Sequence, residues 1–220
     1  MAEIQLCVFD MDGLLLDSES VFFINARRCS DIYGYNIPDE LILSTMGTTE
    51  NEQERRYKEV LGEDFNFREF LHNEWVLHLQ YLDEHPVEKK KGVDELFAYL
   101  EENHIAKALA TSTDRQYAVP PLQQTGLIDR FDYIVYGDDL KESKPRPEIY
   151  LKAIEPFHLD EENILAFEDS DNGILSAYNA GLKVIHIPDL AYVSQETKEK
   201  CFAILTDLTE CIPLIREMNS

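Results

Sequence analysis

The chain has 220 residues, of which 43 are acidic and 20 basic, and its formal net charge is −23. This length suits one domain with a large insertion or two modest domains, so the chain needs no partner merely to fold. The excess of carboxylates disfavours a nucleic-acid partner, because binding to a phosphate backbone depends on clustered Lys and Arg.

The four cysteines show neither a Cys-x-x-Cys spacing nor a matching histidine pattern. They therefore indicate reduced thiols rather than a zinc site or a redox motif. No run of about 18 apolar residues and no leader-like N-terminus is present, which predicts a soluble cytoplasmic protein that does not bind a membrane. The sequence leaves the oligomeric state open.

The first predicted element is a buried strand at 6–9, and it runs directly into Asp10, Asp12 and Gly13. Ligand sites of parallel α/β sheets gather beyond the carboxyl ends of the strands. In an extended chain Asp10 and Asp12 share a face, and two carboxylates so close repel each other unless a cation lies between them. Such hard oxygen ligands suit Mg²⁺, so the motif predicts a metal site. The alternative is a turn that simply ends the strand.

Residues 17–86 are rich in charged and aromatic side chains, with helical spacing at Phe67, Phe70, Leu71 and Trp75. This pattern predicts a helical cap domain inserted into a discontinuous α/β core domain formed by 1–16 and 87–220. The boundary near Pro86 is followed by three lysines at 89–91, which favour a solvated linker.

From Val93 onward, helical and strand patterns alternate. A helix with apolar positions at 93, 96, 97 and 100 comes first, and short apolar runs rich in β-branched or aromatic residues predict later strands. The predicted strands are 107–110, 134–136, 164–167 and 184–187, and further helices are predicted at 147–155 and 171–180. Alternation of this kind predicts a Rossmann-like parallel sheet covered by helices on both faces.

Polar groups follow three of these strands. Thr111 and Ser112 follow the second strand, where a hydroxyl and the backbone amides of a helix start could hold phosphate oxygens. A simple helix N-cap is the alternative. Lys144 lies between the third and fourth strands in a proline-stiffened loop, where its ammonium could neutralise a phosphoryl group and an attacking carboxylate. The alternative is a solvated loop lysine.

Glu168 and Asp169 follow the fourth strand. Together with Asp10 and the backbone carbonyl of Asp12, they could complete the coordination of Mg²⁺. Helix capping is again the alternative, because acidic and hydroxyl side chains before a helix satisfy its free amides.

These four sites, in this order, resemble the motifs of the haloacid dehalogenase superfamily of phosphotransferases over almost the whole chain. The segment 9–13 is similar to the first motif, and the insert resembles the helical-bundle type of cap. Segments 14–19 and 144–150 resemble the β-phosphoglucomutase-like branch, while 9–17 and 136–139 also resemble pseudouridine-5′-phosphate and 2-deoxyglucose-6-phosphate phosphatases.

The resemblance implies a phosphatase in which Asp10 attacks phosphorus to give an aspartyl-phosphate. It implies that Asp12 first protonates the leaving alkoxide and then deprotonates the hydrolytic water. The residues it implies in catalysis are Asp10, Asp12, Thr111 and Lys144, with Thr111, Ser112 and Lys144 on the substrate. The ligands it implies for Mg²⁺ are Asp10, Asp12, Glu168 and Asp169.

The alternative within the branch is a sugar-phosphate mutase. Phe22 stands where β-phosphoglucomutases place a histidine, and Glu50 stands where they carry a cap arginine. Both departures favour hydrolysis, because a carboxylate at Glu50 would repel a second phosphate. A dehalogenase would lack the aspartate at Asp12. A non-catalytic binding protein is disfavoured because every catalytic motif retains its residue type.

The expected partner is a small phosphorylated metabolite, with hexose phosphates and nucleotides equally open. The leaving group would be chosen by cap residues that face the site. The candidates by position are Phe22, Phe23, Arg27, Trp75 and His78, and the alternative for most of them is a place in the hydrophobic core of the cap.

Overall fold

A six-stranded parallel sheet forms the centre of the computed structural model, which describes residues 3–48 and 50–220. Its strands are β1 (Leu6–Phe9), β2 (Ala106–Ala110), β3 (Tyr133–Val135), β4 (Ile164–Glu168), β5 (Lys183–His186) and β6 (Ala203–Ile204). The spatial order is β3-β2-β1-β4-β5-β6, and every neighbouring pair is parallel. The chain order reverses at β1, so the crevice beyond β1 is the expected ligand site of this topology.

Ten α-helices are described. They are α1 (Ser18–Tyr33), α2 (Asp39–Thr45), α3 (Glu50–Leu61), α4 (Phe67–Glu84), α5 (Val93–Glu102), α6 (Arg115–Gln124), α7 (Glu148–Ile154), α8 (Asp171–Asn179), α9 (Gln195–Lys198) and α10 (Cys211–Met218). Among these described helices, none combines the length and the apolar character needed to cross a membrane. The predicted strands and the helices at 147–155 and 171–180 are confirmed to within one residue at each end. The edge strand β6 was not predicted, since two residues are too few to form a pattern.

Both faces of the sheet are buried, which explains why its strands are continuous apolar runs in the sequence. Along β1, Cys7 and Phe9 belong to one core cluster, whereas Leu6 and Val8 belong to the cluster on the opposite face. Phe9 stacks on Phe167 of β4 at 4.7 Å between ring centroids. The carboxylates just past β1 therefore rest on a rigid, close-packed strand.

The helices α1–α4 form the cap, as predicted, and they have a hydrophobic core of their own. Its aromatic members are Tyr57, Phe67 and Phe70, all buried. The chain enters and leaves the cap side by side, since the backbone N–H of Asp17 donates to the carbonyl of Glu88 at 2.9 Å. The domain bounds at 16/17 and 86/87 remain a prediction.

The three lysines after the cap are each paired with carboxylates. Lys89 contacts Asp94, and Lys91 contacts Asp207. Lys90 lies between Asp17 of the cap entrance and Asp189 of the core. Lys90 therefore links the cap entrance to the core electrostatically, although partly exposed pairs of this kind contribute little to stability.

Replacing Phe167 by alanine is expected to lower the free energy of unfolding by about 3–5 kcal/mol, because the change removes a fully buried ring and leaves a cavity. Urea denaturation followed by circular dichroism measures this loss. Leu151→Ala, at a half-exposed position of α7, is the matched control and should shift stability by less than about 0.5 kcal/mol. Equal losses in the two variants would contradict the placement of Phe167 in the core.

Candidate active site

The ends of three strands and one loop bring distant polar residues into a single buried group at the cap–core boundary. These residues are Asp10 after β1, Thr111 after β2, Lys144 after β3, and Glu168 and Asp169 at the end of β4, each at least nine-tenths buried. A cavity of about 600 Å³ opens onto them, and its walls include Asp10, Asp12, Ser112, Lys144 and Asp169 from the core. The cap contributes Glu19, Gly47, Thr48, Glu50 and Asn51 to the same cavity.

Lys144 is buried between two carboxylates and is not a solvated loop lysine. Its Nζ donates to Asp10 Oδ1 and to Glu168 Oε1, each at 2.6 Å, and the Tyr150 hydroxyl donates to the same Glu168 oxygen at 2.6 Å. Burial by itself lowers the pKa of Lys144, but Asp10 and Glu168 outweigh burial and raise this pKa above its ordinary value. Lys144 is therefore a cation held against Asp10.

Both carboxylate oxygens of Asp12 are oriented by hydroxyl groups. Ser18 Oγ donates to Asp12 Oδ1 at 2.7 Å, and Thr113 Oγ1 donates to Asp12 Oδ2 at 2.7 Å. The sequence reasoning missed Ser18 and Thr113, since a hydroxyl near a helix start is ordinarily a capping residue. These two contacts fix the orientation of the Asp12 carboxylate without using Lys144.

Thr111 is fully buried at the end of β2, and its Oγ1 accepts a hydrogen bond from the backbone N–H of Thr113 at 3.1 Å. It is not the N-cap of α6, since that helix begins at Arg115 and follows Asp114. Ser112 lies next in the chain, exposed, in the wall of the cavity. The turn after β2 therefore presents Ser112 to the cavity, whereas Thr111 is buried beside it.

Asp10, Glu168 and Asp169 fit a hard divalent cation. Each offers a carboxylate oxygen within 4.8 Å of the others. Asp169 Oδ2 is buried and has no hydrogen-bond partner among the residues that the structure describes. Burial, with Glu168 and Asp12 adding to it against the opposing charge of Lys144, raises the pKa of Asp10 to about 8. The negative charge of this group thus exceeds what Lys144 balances, and a bound Mg²⁺ would balance it.

Gly13 allows the turn after β1 to approach Asp169. Its φ is +76°, and a Cβ at this position would lie 2.4 Å from Asp169 Oδ2. Any other residue would both strain the backbone and displace the carboxylate. The glycine that ends the first motif is therefore required by the close approach of two strand ends.

Two further carboxylates lie beside Asp169, and the sequence reasoning missed both. Glu19 from α1 and Asp189 from the loop after β5 each place an oxygen within 4.8 Å of an Asp169 oxygen. Burial, reinforced by the charge of Asp189, raises the pKa of Glu19 to about 8. No spacing rule could have found them, because the two lie 170 residues apart and meet only through packing of the cap on the core.

Three of the five predicted cap residues face a second cavity of about 400 Å³, which adjoins the first. Phe22, Trp75 and His78 line this cavity. Phe23 instead packs against the hydrophobic core of the cap, and Arg27 is an exposed partner of Asp39. The prediction that these two face the site is wrong, because neighbouring positions of α1 point to different sides of the helix.

Residues 7–187 match the family model described as haloacid dehalogenase-like hydrolase. The chain belongs to the haloacid dehalogenase-like hydrolase family. The resemblance stated from the four motifs is confirmed, and so is the α/β core with its helical cap. The β-phosphoglucomutase-like, pseudouridine-5′-phosphatase-like branch is confirmed as well; the crystal structure of a "putative beta-phosphoglucomutase" from Thermotoga maritima is 29% identical, covers 97% of this chain and 99% of its own, and has a TM-score of 0.78.

Named relatives of this family align with most of the chain. The "Phosphorylated carbohydrates phosphatase" of Thermotoga maritima is 35% identical over 186 residues, which are 81% of this chain and 82% of that protein. The "Probable pseudouridine-5′-phosphatase" of Drosophila melanogaster is 30% identical over 213 residues, or 94% and 91% of the two chains. The crystal structure of β-phosphoglucomutase from Clostridium difficile covers 98% of this chain and 97% of its own, with a TM-score of 0.78. Because the two sequences are only 20% identical, this similarity shows the fold alone.

Proposed function

We propose that this haloacid dehalogenase-like hydrolase is a Mg²⁺-dependent phosphatase that hydrolyses a small phosphate monoester through an aspartyl-phosphate. One observation carries the proposal. Asp10 lies against the Lys144 ammonium at 2.6 Å, and Asp12, two residues later, is oriented by the hydroxyl groups of Ser18 and Thr113. That arrangement supplies a nucleophile and a separate proton donor. The phosphate esters in the names of both relatives support the same class of substrate.

In the first step the carboxylate of Asp10 forms a bond to phosphorus while the bond from phosphorus to the ester oxygen breaks. Asp12 gives its proton to the departing oxygen. In the second step Asp12 takes a proton from water as the water oxygen attacks phosphorus, which releases inorganic phosphate and restores the Asp10 carboxylate. Splitting the reaction in this way replaces one difficult step by two easier ones.

The remaining residues position the phosphoryl group and balance its charge. Thr111 and Ser112 would hold phosphoryl oxygens at the end of β2, and Lys144 would hold both Asp10 and the phosphate. Mg²⁺, held by Asp10, Glu168, Asp169 and the backbone carbonyl of Asp12, would neutralise developing negative charge. Tyr150 would keep Glu168 in place through its 2.6 Å hydrogen bond.

Hydrolysis is favoured over a mutase by the cap residues. Glu50 is in the wall of the cavity that contains Asp10, and its carboxylate would repel a second phosphate group. Phe22 offers no proton-transfer group at the position where the mutases place a histidine. These two positions therefore supply no positive charge that could bind a bisphosphate intermediate.

Phosphate release from a panel of sugar phosphates and nucleoside monophosphates tests the proposal. With Mg²⁺ present, at least one ester class is expected to release phosphate. EDTA should reduce the rate to background, and added Mg²⁺ should restore it, because the carboxylates need a cation to bind the phosphoryl group.

The panel also includes β-glucose 1-phosphate with its bisphosphate activator. Conversion of this ester to glucose 6-phosphate without net phosphate release would contradict hydrolysis and establish the mutase. Activity that survives EDTA would show that the buried acidic residues do not act through a metal.

A further inference from the structure

The second cavity lies between cap helices α1 and α4 and core helix α6, and we call it the aromatic cleft. Its wall is mainly apolar. The lining includes Phe22, Gln53, Trp75, His78, Gln116 and Tyr117. Leu79 and Tyr117 are both lining residues and nearly half exposed, so the cleft presents apolar surface that the fold itself does not cover. Exposed apolar surface inside a cleft is typical of a ligand site.

Three aromatic rings pack against one another in the wall of the cleft and present their remaining surface to it. The Trp75 and His78 rings stack with 5.2 Å between centroids and 12° between planes, and Tyr117 meets Trp75 edge-on at 4.7 Å. Burial lowers the pKa of His78, so its imidazole is neutral at pH 7. The cleft thus offers uncharged π surfaces, on which heterocyclic bases stack.

The polar groups of the cleft also suit a base better than a sugar or a second phosphate. No lysine or arginine is found among the described residues that line it, while the carboxylates of Asp12 and Glu19 lie at its junction with the first cavity. Two amides, Gln53 and Gln116, are in the wall. Gln53 Nε2 donates to the carbonyls of Thr45 and Thr48, so Gln53 offers its oxygen as an acceptor, while Gln116 offers a complete amide. An amide both donates and accepts, as the edge of a nucleobase requires.

The aromatic cleft is continuous with the reaction site through Asp12, which lines both cavities. In the proposed reaction Asp12 protonates the oxygen of the leaving group. A leaving group bound at Asp12 therefore stands at the mouth of the aromatic cleft, and whatever it carries beyond its ester oxygen has access to the rings.

We propose that the aromatic cleft binds the base of a nucleoside 5′-monophosphate, so that nucleotides, rather than phosphorylated hexoses, are the preferred esters. The inference rests on the proposed phosphatase function and names the substrate class of that site. A hexose would place its hydroxyl groups against apolar rings, where few partners are available and desolvation is unfavourable. A base would bury one π face against the same rings.

The test compares kcat/KM for uridine and adenosine 5′-monophosphates with kcat/KM for ribose 5-phosphate and glucose 6-phosphate. Ribose 5-phosphate is the matched control ester, because it is the nucleotide without its base. At least one nucleotide is expected to exceed both sugar phosphates by about tenfold or more, the usual effect of a stacked base. Ribose 5-phosphate turnover that equals or exceeds that of both nucleotides would overturn the inference.

The variant Trp75→Ala should lower the ratio of nucleotide to ribose 5-phosphate kcat/KM by about tenfold, whereas Trp75→Phe should retain most of the ratio. Tyr178→Ala removes a half-exposed aromatic of α8 that lines neither cavity, and it should leave the ratio unchanged. Equal ratios in Trp75→Ala and the parent protein would overturn the assignment of the cleft.

A binding measurement separates this inference from the catalytic proposal. Trp75 is the only tryptophan of the chain, so its fluorescence reports on the aromatic cleft directly. In an Asp10→Asn background, a nucleoside monophosphate should quench this fluorescence and ribose 5-phosphate should not. Quenching by both or by neither would count against the inference.

The failures of the two proposals are distinguishable. Release from ribose 5-phosphate or glucose 6-phosphate alone would overturn the nucleotide inference and leave the phosphatase intact. If none of the esters releases phosphate, the phosphatase proposal is overturned, and with it the inference that nucleotides are the preferred substrates.

Discussion

Replacement of Asp10 by asparagine is expected to lower kcat for phosphate release by roughly 10⁴-fold or more, because an amide cannot form the acyl-phosphate bond. The variant should remain folded. Burial and the neighbouring carboxylates raise the pKa of Asp10 to about 8, which means that the folded protein stabilises the charged form of this carboxyl less than water does. Removing that charge should leave Tm unchanged or raise it, while Lys144 keeps its contact with Glu168.

Phosphate release and a thermal melt recorded on the same preparation measure both effects. The matched control is Asp129→Asn, at an exposed position that lines neither cavity, which should retain the activity of the parent protein. Full activity in Asp10→Asn would show that Asp10 is not the nucleophile. A large loss of Tm would instead indicate that its loss of activity reflects unfolding.

Replacement of Lys144 by methionine is expected to lower kcat by roughly 10²–10³-fold, since a preorganised cation at the reacting group is lost. The change also leaves Glu168 buried beside Asp10 without the lysine charge. Breaking a buried pair in this way should lower the free energy of unfolding by about 3–5 kcal/mol. Steady-state kinetics and urea denaturation measure the two effects.

The pH dependence gives a separate readout of the same variant. Lys144 lowers the pKa of Asp10, so its removal should raise that pKa further. Because the nucleophile must be ionised, the acid limb of the kcat profile should move to higher pH in Lys144→Met. Lys141→Met, at an exposed lysine of the same loop, should leave both kcat and the acid limb unchanged. An acid limb that stays in place in Lys144→Met would contradict the coupling of these two residues.

The aromatic cleft is formed jointly by the cap and the core. Phe22 and Trp75 come from the cap, whereas Tyr117 comes from α6 of the core, so the cleft exists only while cap and core are in contact. A bound base would bridge the two parts beside the paired chain crossings at 17 and 88. Substrate binding and cap closure would then favour each other, as linkage requires when a ligand contacts both sides.

The order of the core elements, most of their bounds and the strand ends at which polar residues collect all follow from the amino-acid sequence alone. Periods of two and 3.6 residues specify the buried faces of strands and helices. A parallel sheet brings the carboxyl ends of its strands to one edge, so these patterns predict that Asp10, Thr111 and Asp169 lie together. Lys144 lies in the loop between β3 and α7, and its contact with Asp10 depends on the tertiary structure. The identity of the family followed from the same four motifs.

Contacts between side chains of different elements depend instead on the tertiary structure. Thr113 donates to Asp12 from 101 residues away in the chain, and Tyr150 of α7 donates to Glu168 of β4. The same holds for Glu19 beside Asp189 and for the rings of the aromatic cleft. The physical reason is that periodicity encodes which face of an element is buried, whereas a contact between elements depends on the register and angle at which close-packed surfaces interlock.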